Sequence, residues 1–134
     1  MSFVYPLFAL FLLVFAIGLL AFIARVQAVR QRQMRIRDFE MLDLNTAAPF
    51  VARSTRHIAN LFEVPVLFYV VCLVAVFMRV NDTSALAIAW SYVGCRMLHS
   101  YIHLTYNRVM HRMLVFMFSN LLLLALWVRL LTLS

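Results

Sequence analysis

Arg56, Asn60 and Glu63 stand at i, i+4 and i+7 at the head of a long apolar run, and Arg96, His99 and His103 stand at i, i+3 and i+7 in the next one. In a helix each set shares one face. A carboxylate at membrane depth is rare and by default marks a functional site with a partner. Arg96, the deepest cation, is the expected partner of Glu63. Arg25, Arg112, His111 and Tyr106 fall at the same end of their segments, so one half of the protein is polar inside and the other almost wholly apolar. Arginine grips carboxylate or phosphate with two parallel hydrogen bonds. A cationic pocket holding a single acid therefore suits a ligand with several carboxylates and one ammonium, and a small acidic peptide fits that description.

Plainer readings compete. Polar side chains between membrane helices often serve only to hold the helices together. His99 and His103 have a chelating i, i+4 spacing, and Glu63 could complete a metal site, but the surrounding arginines repel a cation, so no metal centre is expected. His57 and His111 read as solvated or capping groups at the aqueous edge, not catalytic ones. Cys72 and Cys95 lie inside apolar spans without C-x-x-C spacing and read as small packing residues.

The elements that must position these groups are membrane helices. Of the 134 residues 66% are hydrophobic and the mean hydropathy is +0.94, well beyond a soluble domain. The chain is read as a single all-α membrane domain over 1–134, a four-helix bundle running up-down-up-down, with spans at about 3–28, 48–79, 84–107 and 110–131. The first run lacks the basic start and small-residue cleavage site of a signal peptide. Residues 29–45 read as an extension of the first helix followed by a loop. Asn45 or Thr46 is expected to cap the second helix, Pro65 to bend it, and Asn81 to Ser84 to form a short turn with caps for the third. Trp90, Trp127 and Tyr5 read as interface anchors.

All twelve cations are arginine, and the formal net charge is +7. Their placement argues for topology and against nucleic acid. Seven flank the first connection and Arg108 and Arg112 the third, so both connections face the cytoplasm, both termini lie outside, and the pocket opens toward the cytoplasm.

Arg56-x-x-x-Asn60-x-x-Glu63, then Arg96-x-x-His99-x-x-x-His103, then Arg112 together resemble the MAPEG family (membrane-associated proteins in eicosanoid and glutathione metabolism). The likeness covers most of the chain from Arg25 onward. The cadence of the second half is closest to that of the microsomal prostaglandin E synthases, and the compactness of the chain resembles a bacterial member, which would sit in the inner membrane. The resemblance implies a homotrimer that binds glutathione as co-substrate between subunits. Arg25, Arg56, Asn60, Glu63, Arg96, His99 and His103 would line that site, and Arg112 would activate the thiol. It implies a glutathione-dependent transferase or peroxidase acting on apolar electrophiles or lipid hydroperoxides that arrive from the bilayer. Some relatives bind lipid without catalysis, so a non-catalytic lipid- or small-peptide-binding protein is the alternative. Two positions depart from the pattern: His103 stands where a tyrosine contacts glutathione, and Ala59 where the prostaglandin synthases carry arginine. Tyr106 is the candidate to supply the missing phenol.

Overall fold

The computed structural model describes residues 2–133, and they are helical throughout apart from the connections. Helix α1 spans Val4–Arg30, α2 Pro49–Leu61, α3 Pro65–Phe77, α4 Thr83–Leu104 and α5 Val109–Leu131, with a single 3₁₀ turn at Ile36–Phe39. Three stretches, Val4–Arg30, Pro49–Phe77 and Val109–Leu131, are long and apolar enough to cross a membrane. Their outward faces carry Phe8, Phe11, Phe15, Phe22, Leu114, Phe118, Leu121 and Leu124, all exposed. Such a surface is stable against lipid and not against water. Helix α4 lies outside these three stretches, and it packs against α1, α2 and α5.

The expected second helix is two helices. Pro65 has no N–H to extend the ladder and takes the first position of α3, while Leu61 ends α2. Residues 62–64 form the break, and Glu63 sits in it. The N-terminus of α2 also differs from expectation. Ala48 is its N-cap and makes no side-chain cap bond, with Pro49 starting the helix. Asn45 and Thr46 instead fold back on Asp43, through the Asn45 N–H to Asp43 Oδ1 at 2.9 Å and the Thr46 hydroxyl to the Asp43 carbonyl at 3.3 Å. Helix α1 stops at Arg30, so residues beyond it are loop and not a helical extension. The cap expected for the following turn is present: Asp82 accepts the Ala85 N–H at 2.9 Å.

Cross-links between helix ends show how the chain reverses. An Arg25 Nη2 donates to Thr55 Oγ1 at 3.4 Å, tying the end of α1 to α2. Arg53 Nη1 donates to the Thr105 carbonyl at 3.2 Å, tying the start of α2 to the end of α4. Arg129 pairs with Asp82 at 3.0 Å, tying the end of α5 to the start of α4. These contacts require antiparallel neighbours. The turn at 105–108 is closed by the Asn107 N–H to the Ile102 carbonyl at 2.8 Å. Asn107 has a φ of 49°, a left-handed conformation that asparagine tolerates better than most residues.

The main core, away from the polar half, joins Leu10 of α1, Phe68, Val71, Cys72 and Ala75 of α3, Ala85, Ala89 and Tyr92 of α4, and Leu123, Leu126 and Leu130 of α5. Phe68 and Tyr92 stack with centroids 4.5 Å apart. Nearer the polar end α1 buries Ala24 and Ala28 against Val51 and Met34. Small side chains there let the backbones approach closely, the usual basis of helix association in lipid. Both cysteines are free, with Cys72 buried in this core.

Candidate functional site

At the end where α2 starts and α4 finishes, a pocket of about 570 Å³ opens between α2, α4 and α5. Helix α2 supplies Arg53, Thr55, Arg56 and Asn60, and the break after it supplies Glu63. Helix α4 supplies His99 and His103, the turn Asn107, and α5 Val109, Arg112, Met113 and Phe116. One wall is cationic and the other apolar. The volume lies within the roughly 300–1,000 Å³ of small-ligand sites.

Six of the residues singled out in the sequence line this pocket: Arg56, Asn60, Glu63, His99, His103 and Arg112. Three others are placed elsewhere. Arg25 is held one layer back by Thr55. Tyr106 is exposed, its hydroxyl 3.2 Å from His111 Nδ1. Arg96 lies beneath the floor, 0% exposed.

The expected Glu63–Arg96 pair does not form. Among the described residues the one ion pair is Arg129–Asp82, and Glu63 is exposed at the helix break. The guanidinium of Arg96 faces the rings of Phe116 and Tyr92, at 5.4 and 5.8 Å from their centroids, distances at which a cation and a π face attract. Its Nε, Nη1 and Nη2 are buried without a hydrogen-bond partner in the chain. The pairing failed because the Pro65 break turns Glu63 outward, whereas residue 96 lies on the inward stripe of α4 with Tyr92, His99 and His103.

His57 is the larger correction. It is a buried core residue, 0% exposed, and not a solvated group at the aqueous edge. Its Nε2 lies 2.8 Å from Ser100 Oγ, and its ring stacks on His103 with centroids 4.6 Å apart. His99 completes a trio, with centroids 5.8 Å from His57 and 6.0 Å from His103. The available signal was periodicity: Ser54, His57 and Leu61 recur at helical spacing and are all buried. Its polar neighbours Arg53 and Arg56 masked that stripe. Despite the three rings, no group of three or more His, Cys, Asp or Glu side chains among the described residues is arranged to hold a metal ion.

Arg112 is a pocket cation held in place by the turn. Its Nη1 donates to Asn107 Oδ1 at 2.8 Å, and its backbone carbonyl accepts from His99 Nδ1 at 3.2 Å. Arg53, Thr55, Asn107 and Phe116 also line the pocket, and no motif in the sequence marks them as site residues.

A helical membrane protein with a cationic, one-acid pocket at the end of its bundle is the class these features define. The MAPEG family model matches residues 3–132, nearly the whole chain, and the chain belongs to the MAPEG family. No curated protein and no solved structure matches it.

Proposed function

We propose that this protein is a glutathione-dependent membrane transferase or peroxidase. The observation that carries the reading is the convergence of Arg53, Arg56, Arg112, Asn60 and Glu63 on one pocket in a chain of this family. Glutathione has two carboxylates, one ammonium, two peptide bonds and a thiol. The arginines suit its carboxylates, Glu63 its ammonium and Asn60 its peptide groups. A guanidinium beside sulfur favours the thiolate, the nucleophilic form, and Arg112 is the cation fixed for that task. The apolar wall of Val109, Met113 and Phe116 suits an electrophile or lipid hydroperoxide coming from the bilayer.

The active form in this reading is a homotrimer in a bacterial inner membrane, with α4 as a fourth span and the pocket toward the cytoplasm. One observation supports assembly and another the orientation. Arg56 and Glu63 line the pocket yet remain exposed in one chain, and a neighbouring copy would cover them. The arginine-rich connections at the pocket end support its cytoplasmic placement. The same apolar wall favours a second reading, a lipid-binding protein without thiol chemistry, since fold alone does not assign catalysis.

Calorimetry of the detergent-purified protein with glutathione tests the choice. Saturable binding that is lost in Glu63→Gln and Arg56→Ala, two residues that line the pocket, is the expected result. Absence of binding at millimolar glutathione, with fatty acid or phospholipid binding intact, would transfer the assignment to the second reading.

A further inference from the structure

We propose that His103, supported by His57, takes the proton of the substrate thiol. The inference rests on the thiol-peptide reading above and concerns a step that Arg112 cannot perform. A thiol attacks as its thiolate, so the S–H proton needs a destination. Guanidinium groups are donors only and stay protonated in proteins, which excludes Arg53, Arg56 and Arg112. The acceptors on the pocket wall are Glu63, His99 and His103. Glu63 lies in the helix break and is matched to the ligand's ammonium.

Hydrogen bonding separates the two histidines. His99 Nδ1 faces the Arg112 carbonyl at 3.2 Å. A carbonyl only accepts, so Nδ1 carries the hydrogen and the lone pair is on Nε2. That Nε2 is buried with no partner and points into the protein. In His103 the buried nitrogen is Nδ1, which leaves Nε2 as the nitrogen available to the pocket. His57 supports this ring from beneath. Ser100 Oγ donates its one hydrogen to the Arg96 carbonyl at 2.9 Å, so it accepts from His57 Nε2 at 2.8 Å. The His57 ring is thereby fixed, and His103 stacks on it at 4.6 Å. The charged and titratable groups around His103 are Arg53, Arg56 and His57 from α2, Arg96 and His99 from α4, and Arg112 from α5. The ligand's carboxylates and the developing thiolate offset that positive field when the proton moves.

In the transfer the S–H bond breaks, the proton binds His103 Nε2, and the electron pair stays on sulfur beside Arg112. The sulfur then bonds to the electrophilic carbon. The electron pair displaced from that carbon goes to the neighbouring atom or leaving group, which recovers the proton from His103. His103 is a catalytic residue in this step, and His57 is a positioning residue.

The test is a proton inventory on wild-type protein in weakly buffered detergent solution with a pH-indicator dye. Glutathione is the ligand, S-methylglutathione is the control without a thiol proton, and ultraviolet absorbance reports the thiolate. If His103 keeps the proton, thiolate forms with almost no proton released to the medium. In His103→Gln the thiolate that forms releases its full proton, and transfer to an arylating electrophile falls by about 100-fold, the scale of a lost general base. His57→Leu removes the supporting ring and raises the released-proton count; an unchanged count with a lowered Tm would reduce His57 to a packing role and overturn its part. A full proton released by wild type per thiolate, or binding without any thiolate, would overturn the role of His103 while leaving the peptide site intact. Failure of both ligands to bind would instead remove the glutathione reading itself, and the inference with it.

Discussion

Arg112 Nη1 and Asn107 Oδ1 are 2.8 Å apart across the turn that joins α4 to α5. The same asparagine holds the turn's left-handed φ of 49° and its closing bond to the Ile102 carbonyl. One residue thus reverses the chain and aims the cation assigned to the thiol. Asn107→Gly keeps the backbone conformation and removes the amide, so transferase activity falls several-fold with Tm nearly unchanged. Asn107→Ala loses both and destabilises by about 1 kcal/mol more, the scale of a left-handed penalty for a residue with Cβ. Paired activity and thermal-melt measurements on the two variants check this; equal activity in Asn107→Gly and wild type would remove the aiming role.

Arg112→Ala is expected to retain glutathione binding and to lose turnover by about 100-fold or more, as when an electrostatic stabiliser of developing charge is removed. Calorimetry alongside steady-state rates separates the two quantities. Turnover equal to wild type would end the assignment of Arg112.

Arg96 is buried with unused donors, and a buried charge without a partner is costly to hold. Arg96→Met therefore leaves the ligand-free Tm unchanged or raises it, and the Tm increase caused by glutathione stays, because Arg96 does not line the pocket. Thermal unfolding in detergent with and without the peptide checks the pair of effects. A large loss of stability without ligand would show instead that the cation–π contacts to Phe116 and Tyr92 hold the helices together.

Asp82 lies outside the spans, and the hydrogen bond from Arg129, aided by the Ala85 N–H, holds its carboxyl below the ordinary 3.8. A depressed folded value adds stability that is present above the unfolded value and disappears as pH falls through the folded one. Tm is expected to be insensitive to this pair at neutral pH and to fall on acidification below about pH 4. Asp82→Asn keeps an N-cap acceptor but lacks the charge, so its Tm loses that part of the acid dependence. Identical acid slopes for the two proteins would discount the pair.

The helical class and the residues of the pocket were legible because intramembrane polar groups are few and their spacing is helical. Arg56, Asn60, Glu63, His99, His103 and Arg112 were found that way and do share one cavity. Helix boundaries and pairings were less legible. Pro65 announced a bend, but whether it would bend or break the helix depends on how α2 and α3 pack separately, α2 against α1 and α4 and α3 against α1 and α5. That break decides where Glu63 points, and it undid the expected pair with Arg96. His57 is hard to place from sequence because its polar neighbours Arg53 and Arg56 mask the buried stripe it shares with Ser54 and Leu61.

Helix α4 is absent from the stretches apolar enough to cross a membrane unaided, yet it carries Arg96, His99, Ser100 and His103 on its buried side. During synthesis an isolated α4 would meet the bilayer with those groups uncovered, and a single arginine at mid-depth opposes insertion by about 3 kcal/mol. Helix α5 follows after only the turn at 105–108 and packs along α4. If α4 is the fourth span, pairing with α5 would cover those groups, and insertion of the two as a hairpin is the expected route.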